Sequence, residues 1–194
     1  SDILDGFYQK HPDANISVRT GYPLDCMKDH LDLLLDAYPQ LTTSPALTSQ
    51  TASLPETQLM NEEICLAFSD NHPFASMPSI SRSVLYHYPC ILPSTDSCMG
   101  NLLDDLWARF KLRPLQSSSD INNSYVQCEL ASHGRYFTIV PKKSWHPAYT
   151  ANHLSLAPLP DVELYRHVVL QRQPYLSPLA EEFVSYLVDY FANL

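Results

Sequence analysis

Ser94, Thr95, Asp96 and Ser97 place three hydroxyls and a carboxyl in four consecutive positions, just ahead of a segment, Asn101 to Phe110, that has the pattern of an amphipathic helix. A helix amino terminus offers free N–H groups and the positive end of the helix dipole, so hydroxyls gathered there can hold a small anion. The same side chains are good helix caps and turn formers, and that reading explains them without a ligand. Cys98 stands near the same helix start, where a thiolate is stabilised; a redox-sensing thiol is one reading and a small buried thiol the other. Other chemistry finds little support. The eight histidines are scattered, with no His-x3-His or HExxH spacing to put two imidazoles on one helix face, so no metal is expected. No GxSxG, P-loop or GxGxxG occurs, and the four glycines are too dispersed to cradle a phosphate. No catalytic residue and no cofactor is assigned, and the chain is not expected to be an enzyme.

The elements that must position such groups alternate between helix and strand. Asp2 to His11 carries Ile3, Leu4, Phe7 and Tyr8 at helical spacing and stops at Pro12, while Asn15 to Thr20 alternates like a strand. Pro23 to His30 reads as a short helix and Leu31 to Asp36 as a buried strand. The Ser-, Thr- and Pro-rich stretch from Pro39 to Glu56 reads as irregular structure with room for an edge strand. Further strands are expected at Glu63–Ser69, Cys90–Leu92, Pro114–Ser118, Tyr136–Val140, Leu154–Pro158 and Leu164–Leu170. A helical turn is expected at Ile80–Tyr86, a helix at Ile121–Ser132 stopped by Gly134, and a terminal helix at Pro178–Phe191 capped by Ser177. This alternation implies α/β layers.

Composition narrows the partners. With 194 residues, 45% of them hydrophobic, the chain can bury a core of one large domain or two lobes. Its formal net charge of -9 repels a phosphate backbone, which argues against direct DNA or RNA binding by this segment. Five widely spread cysteines without a CxxC pair signal neither a disulfide framework nor a zinc site, and they fit a reducing cytoplasm. No apolar run approaches a membrane span, and the first residues do not form a signal peptide, so no membrane partner is expected.

Several local phrases occur together in one order. Phe7-Tyr8-Gln9-Lys10-His11-Pro12-Asp13 is an aromatic and basic run that reaches a "YPD"-like end, and Leu31-Asp32-Leu33-Leu34-Leu35 is close to "LDLAL". Asp70-Asn71-His72-Pro73-Phe74-Ala75 is close to "xxHPLA". Ala131-Ser132-His133-Gly134 running on to Ile139-Val140-Pro141 is close to "AAGxGIxxLP", and Pro158-Leu159-Pro160 and Leu176-Ser177-Pro178 complete the set. In this the chain resembles, over nearly its whole length, the effector-binding domain of LysR-type transcriptional regulators. Each phrase alone is weak; six in register are specific.

The resemblance implies an α/β type II periplasmic-binding-protein fold, two Rossmann-like lobes joined by two crossover strands, with a small molecule in the cleft between them. Lobe one would comprise 1–68 with 150–194, and lobe two 69–149. The implied effector contacts are Thr20 and Gly21 from lobe one, and Ser94, Thr95, Ser97, Tyr136, Phe137 and Thr138 from lobe two. The alternatives are a plain turn for the first pair, capping for the serines and threonine, and ordinary core or edge positions for Phe137 and Thr138. Tyr136 departs from the family, which commonly has Gly there, so its ring would cap the ligand or fill part of its space. The chain also opens at a helix where the family has a preceding strand, which points either to residues upstream of Ser1 or to an altered first lobe. The implied effector is an organic, amino or aromatic acid. The implied partner is a second copy, pairing Ile3, Leu4 and Phe7 of one subunit with Leu103, Leu106, Trp107 and Phe110 of the other, with tetramers left open. DNA would be bound only by a winged helix-turn-helix absent from this chain. The alternative is a stand-alone solute-binding protein of the same bilobal fold.

Overall fold

The run Ile64-Cys65-Leu66-Ala67-Phe68 is apolar on both faces of a strand and therefore demands cover on both sides. In the protein, a computed structural model, it is buried throughout as part of the strand β2, Glu56–Ser69, whose first residues are exposed. The structure describes residues 2–19, 31–41, 54–93, 100, 103, 107–108, 115–116, 121 and 123–194. The chain divides into two units, one of residues 1–38, 47–61 and 167–194, the other of 39–46 and 62–166. β2 and the strand β7, Leu164–Arg172, each run through a boundary, at 61/62 and 166/167.

In the second unit β2 is flanked on both edges. On one it pairs antiparallel with β5, Phe137–Pro141, from Ile64↔Pro141 to Phe68↔Phe137; on the other it pairs with β6, Leu154–Pro158. Beyond β5 lie β3, Pro89–Ile91, and β4, Leu115–Gln116, both in parallel register, with Ile91↔Thr138 and Pro89↔Leu115. Ile64, Leu66 and Phe68 face one core layer with Phe74, Leu103, Trp107, Phe137 and Ile139. Ala67 and Val140 face the other layer, under the helices α2, Ser124–Ser132, and α3, His146–Ala151. Short 3-10 turns at Pro73–Ser76 and Arg82–His87 close the first layer.

In the first unit, β1, Leu33–Leu41, lies next to β7, and β7 next to β2. The helices α1, Asp2–Lys10, and α4, Pro178–Ala192, cover a core of Met60, Val168, Leu170, Val184, Leu187 and Phe191. α1 and α4 pack closely because Gly6 has no side chain: a Cβ there would come within 2.2 Å of the Tyr186 hydroxyl. The Phe7 ring, 1% exposed, stacks on His11 at 4.4 Å and meets Phe183 edge-on at 4.8 Å.

Local chemistry sets the ends. The Asn123 side chain accepts from the amides of Tyr125 and Val126, and Ser177 Oγ from that of Ala180 at 3.2 Å, each satisfying helix-start donors. Gly134, at φ +77°, turns the chain after α2. The expected strand at Asn15–Thr20 does not form over its described residues: 14–19 are irregular and Val18 is 62% exposed, so alternation alone makes no strand there. The expected Pro23–His30 helix lies outside the described residues.

Candidate functional site

Parallel strands gather their carboxyl ends on one edge, and α/β sheets bind ligands at that edge. In the second unit β3 and β5 define it. β3 leads into Leu92 and Pro93, both buried, and β5 into a turn at Lys142–Trp145. Ser94, Thr95 and Ser97 follow Pro93 and lie outside the described residues, as do Thr20 and Gly21; Gly100, a few residues on, is helical.

The register separates the lobe-two positions that the sequence grouped. Ile91↔Thr138 sets Tyr136 level with Pro89 at the amino ends of the parallel strands. At roughly 3.3 Å per residue, the carboxyl end of β5 at Pro141 is about 17 Å away. Tyr136 is half-buried and its ring lies 5.3 Å from the Arg135 guanidinium. Phe137 is fully buried in the core, and Thr138 is equally buried, its Oγ1 donating to the Ile91 carbonyl at 2.8 Å. The Phe137 side chain thus faces protein, and the Thr138 hydroxyl already has a partner.

What the sequence reading missed lies at the carboxyl end. Glu62, 1% exposed, sends its carboxylate into the turn after β5. Oε2 accepts from the amides of Lys143 at 3.0 Å and Ser144 at 2.8 Å, while Oε1 accepts from Ser144 Oγ at 2.7 Å and from Arg166 Nε. The neighbouring Glu63 meets Lys142 Nζ at 2.9 Å, and the Tyr149 hydroxyl donates to the Lys142 carbonyl at 2.8 Å. The turn is held from three sides. The sequence shows only that Glu62 stands just ahead of the apolar run Ile64 to Phe68, which does not mark its carboxylate as buried.

The LysR substrate binding domain profile matches residues 1–192. The chain belongs to that family. Its members are regulatory ligand-binding domains rather than enzymes. Among solved structures, this LysR domain resembles the effector-binding domain of QuiR in complex with shikimate, with 18% identity and a TM-score of 0.72 over 99% of this chain and 90% of that one. It also resembles the regulatory domain of Synechocystis CcmR in complex with 2-PG, with 14% identity and a TM-score of 0.80 over 100% and 91%. The reduced regulatory domain of OxyR2 from Vibrio vulnificus gives 16% and 0.71 over 100% and 88%. These likenesses bear out the type II periplasmic-binding-protein fold. No curated protein matches the chain.

Several further features of the LysR domain bear on its chemistry. Burial pushes the thiols of Cys65 and Cys128 up to about 11 and that of Cys90 well above its ordinary value, so these three are poor nucleophiles; Cys98 lies outside the described residues. Among the described residues no three His, Cys, Asp or Glu side chains gather as metal ligands, and no helix is long and apolar enough to cross a membrane. Of the residues expected to meet a second copy, Phe7, Leu103 and Trp107 are buried within the chain, whereas Ile3 and Leu4 are half-buried and Leu106 and Phe110 lie outside the described residues. A groove of about 690 Å³ between α1 and α4, floored by Phe7, Tyr186 and Tyr190, lies on the first unit.

Proposed function

We propose that this LysR domain binds a small organic, amino or aromatic acid and, as a homodimer, passes that binding to a winged helix-turn-helix attached upstream, which contacts DNA. The family match over residues 1–192 is the observation that carries the reading. The shikimate and 2-PG complexes of similar domains support a small-molecule ligand. Effector binding acts by favouring one arrangement of the dimer; an effector with equal affinity for both arrangements would shift nothing. Ser94, Thr95 and Ser97 are the proposed lobe-two contacts, with Thr20 and Gly21 from lobe one. The domain holds the ligand without converting it and works in the cytoplasm.

Calorimetric titration of the 194-residue chain with shikimate, benzoate, glutamate and citrate tests this. At least one acid is expected to bind, and Ser94→Ala with Thr95→Ala should weaken it roughly tenfold or more, the cost of about one to two lost hydrogen bonds. Binding that the double variant leaves untouched refutes the site, and consumption of the ligand in the cell refutes the sensing role.

A further inference from the structure

A buried ion pair is a poor way to gain stability, because the charges must be stripped of water; its better-attested use is to fix register or conformation. Glu62 and Arg166 form such a pair, with side chains 0% and 15% exposed. Both residues sit at unit boundaries: Glu62 opens the second unit on β2, and Arg166 closes it on β7. β2 and β7 are neighbours in the sheet, and the carboxylate is completed by the Lys143 and Ser144 amides and the Ser144 hydroxyl of the turn after β5. One carboxylate therefore ties three segments of the second unit together where two of them leave it.

We infer that Glu62 and Arg166 form a clasp that pins the register of β2 against β7 on the second-unit side of the boundaries. Apolar residues could fill the same volume with equal or greater stability. They lack a directed donor and acceptor to fix one register, and a slip of one residue would turn every side chain of β2 to the wrong face. The inference does not depend on the identity of any effector.

Amide hydrogen exchange on the ligand-free chain tests it, read in wild type, in Glu62→Ala, and in the paired variant Glu62→Leu with Arg166→Met. In Glu62→Ala, amides of residues 59–63 and 165–168 should exchange about tenfold faster, together with Lys143 and Ser144, while α1, α4 and residues 137–139 keep their rates. The paired variant should melt at or above the wild-type temperature and still show fast exchange at 59–63 and 165–168. Acceleration restricted to Lys143 and Ser144 would reduce Glu62 to a cap on one turn. A uniform rise across the second unit, or wild-type rates at the boundaries in the paired variant, would show that packing and not the ion pair holds the strands; each of these overturns the clasp.

Discussion

Acidification should destabilise this domain through His72 in a way one substitution can isolate. The imidazole is 2% exposed and ringed by Phe68, Phe74, Tyr88 and Phe137, with centroids between 4.2 and 6.2 Å away. Its Nδ1 accepts from the Phe74 amide at 3.2 Å, which puts the proton on Nε2, and Nε2 has no hydrogen-bond partner among the described residues. Among the described residues no charged group compensates for lost hydration, so burial lowers the pKa from 6.5 to about 4. Between these values the unfolded chain binds a proton that the folded chain refuses, so stability falls as the pH falls from 6.5 towards 4. At 1.36 kcal/mol per unit, the loss is about 1.4 kcal/mol at pH 5.5 and about 3 kcal/mol at pH 4. In His72→Asn the Oδ1 atom can take over the acceptor role of Nδ1 without titrating. Urea unfolding of both proteins between pH 7.5 and pH 4.5 should give curves that converge on acidification as the wild type loses this contribution. Parallel curves, or an NMR titration that finds His72 near its ordinary value, would refute the reasoning.

The remaining expectations concern single positions. Gly134→Ala forces a Cβ onto a backbone at φ +77° and brings it within 3.0 Å of Asn71 Cβ, so chemical unfolding should show a loss of about 1–2 kcal/mol. Gly6→Ala gains helix propensity of about 1 kcal/mol but drives a methyl group against Tyr186; because that ring also touches Phe7, thermal melting should fall rather than rise. Thiol labelling of the native protein at pH 8 should leave Cys65, Cys90 and Cys128 unmodified on the timescale that labels the denatured chain fully, and mass spectrometry of tryptic peptides reads it directly.

Elements with strong local signals were legible. Leu154–Pro158 forms as expected, and the terminal helix runs from Pro178 to Ala192 behind its Ser177 cap, because a proline, a cap and an apolar stripe each point to the same boundary. β2 begins at Glu56 rather than Glu63: its first residues are polar and exposed, and pairing, which no periodicity records, makes them strand. α3 was missed because six residues give too few turns for a periodic pattern, although Pro147 marks its first turn. Phe137 and Thr138 were legible as strand residues, with cleft, core and edge placements left open; the structure buries both. Glu62 was illegible as a buried group: a carboxylate reads as solvent-facing until donors from residues 143, 144 and 166 converge on it.

Those donors also constrain where an acid can be held. Domains of this fold at 14–18% identity to this chain include one with shikimate and one with 2-PG, so the shared fold alone does not choose the ligand. In the second unit β3 leads through Leu92 and Pro93 to residues outside the described ones, and β5 leads into the turn at Lys142–Trp145. After β5 the Lys143 and Ser144 amides and the Ser144 hydroxyl are already taken by Glu62, so they are not free to hold a second carboxylate. The proposed contacts Ser94, Thr95 and Ser97 follow β3 in the sequence and stand outside that competition. Glu62→Ala would free those donors, and an acid that then bound more tightly without Ser94 and Thr95 would mean that the effector sits on β5 and that the proposed Ser94 and Thr95 contacts are wrong.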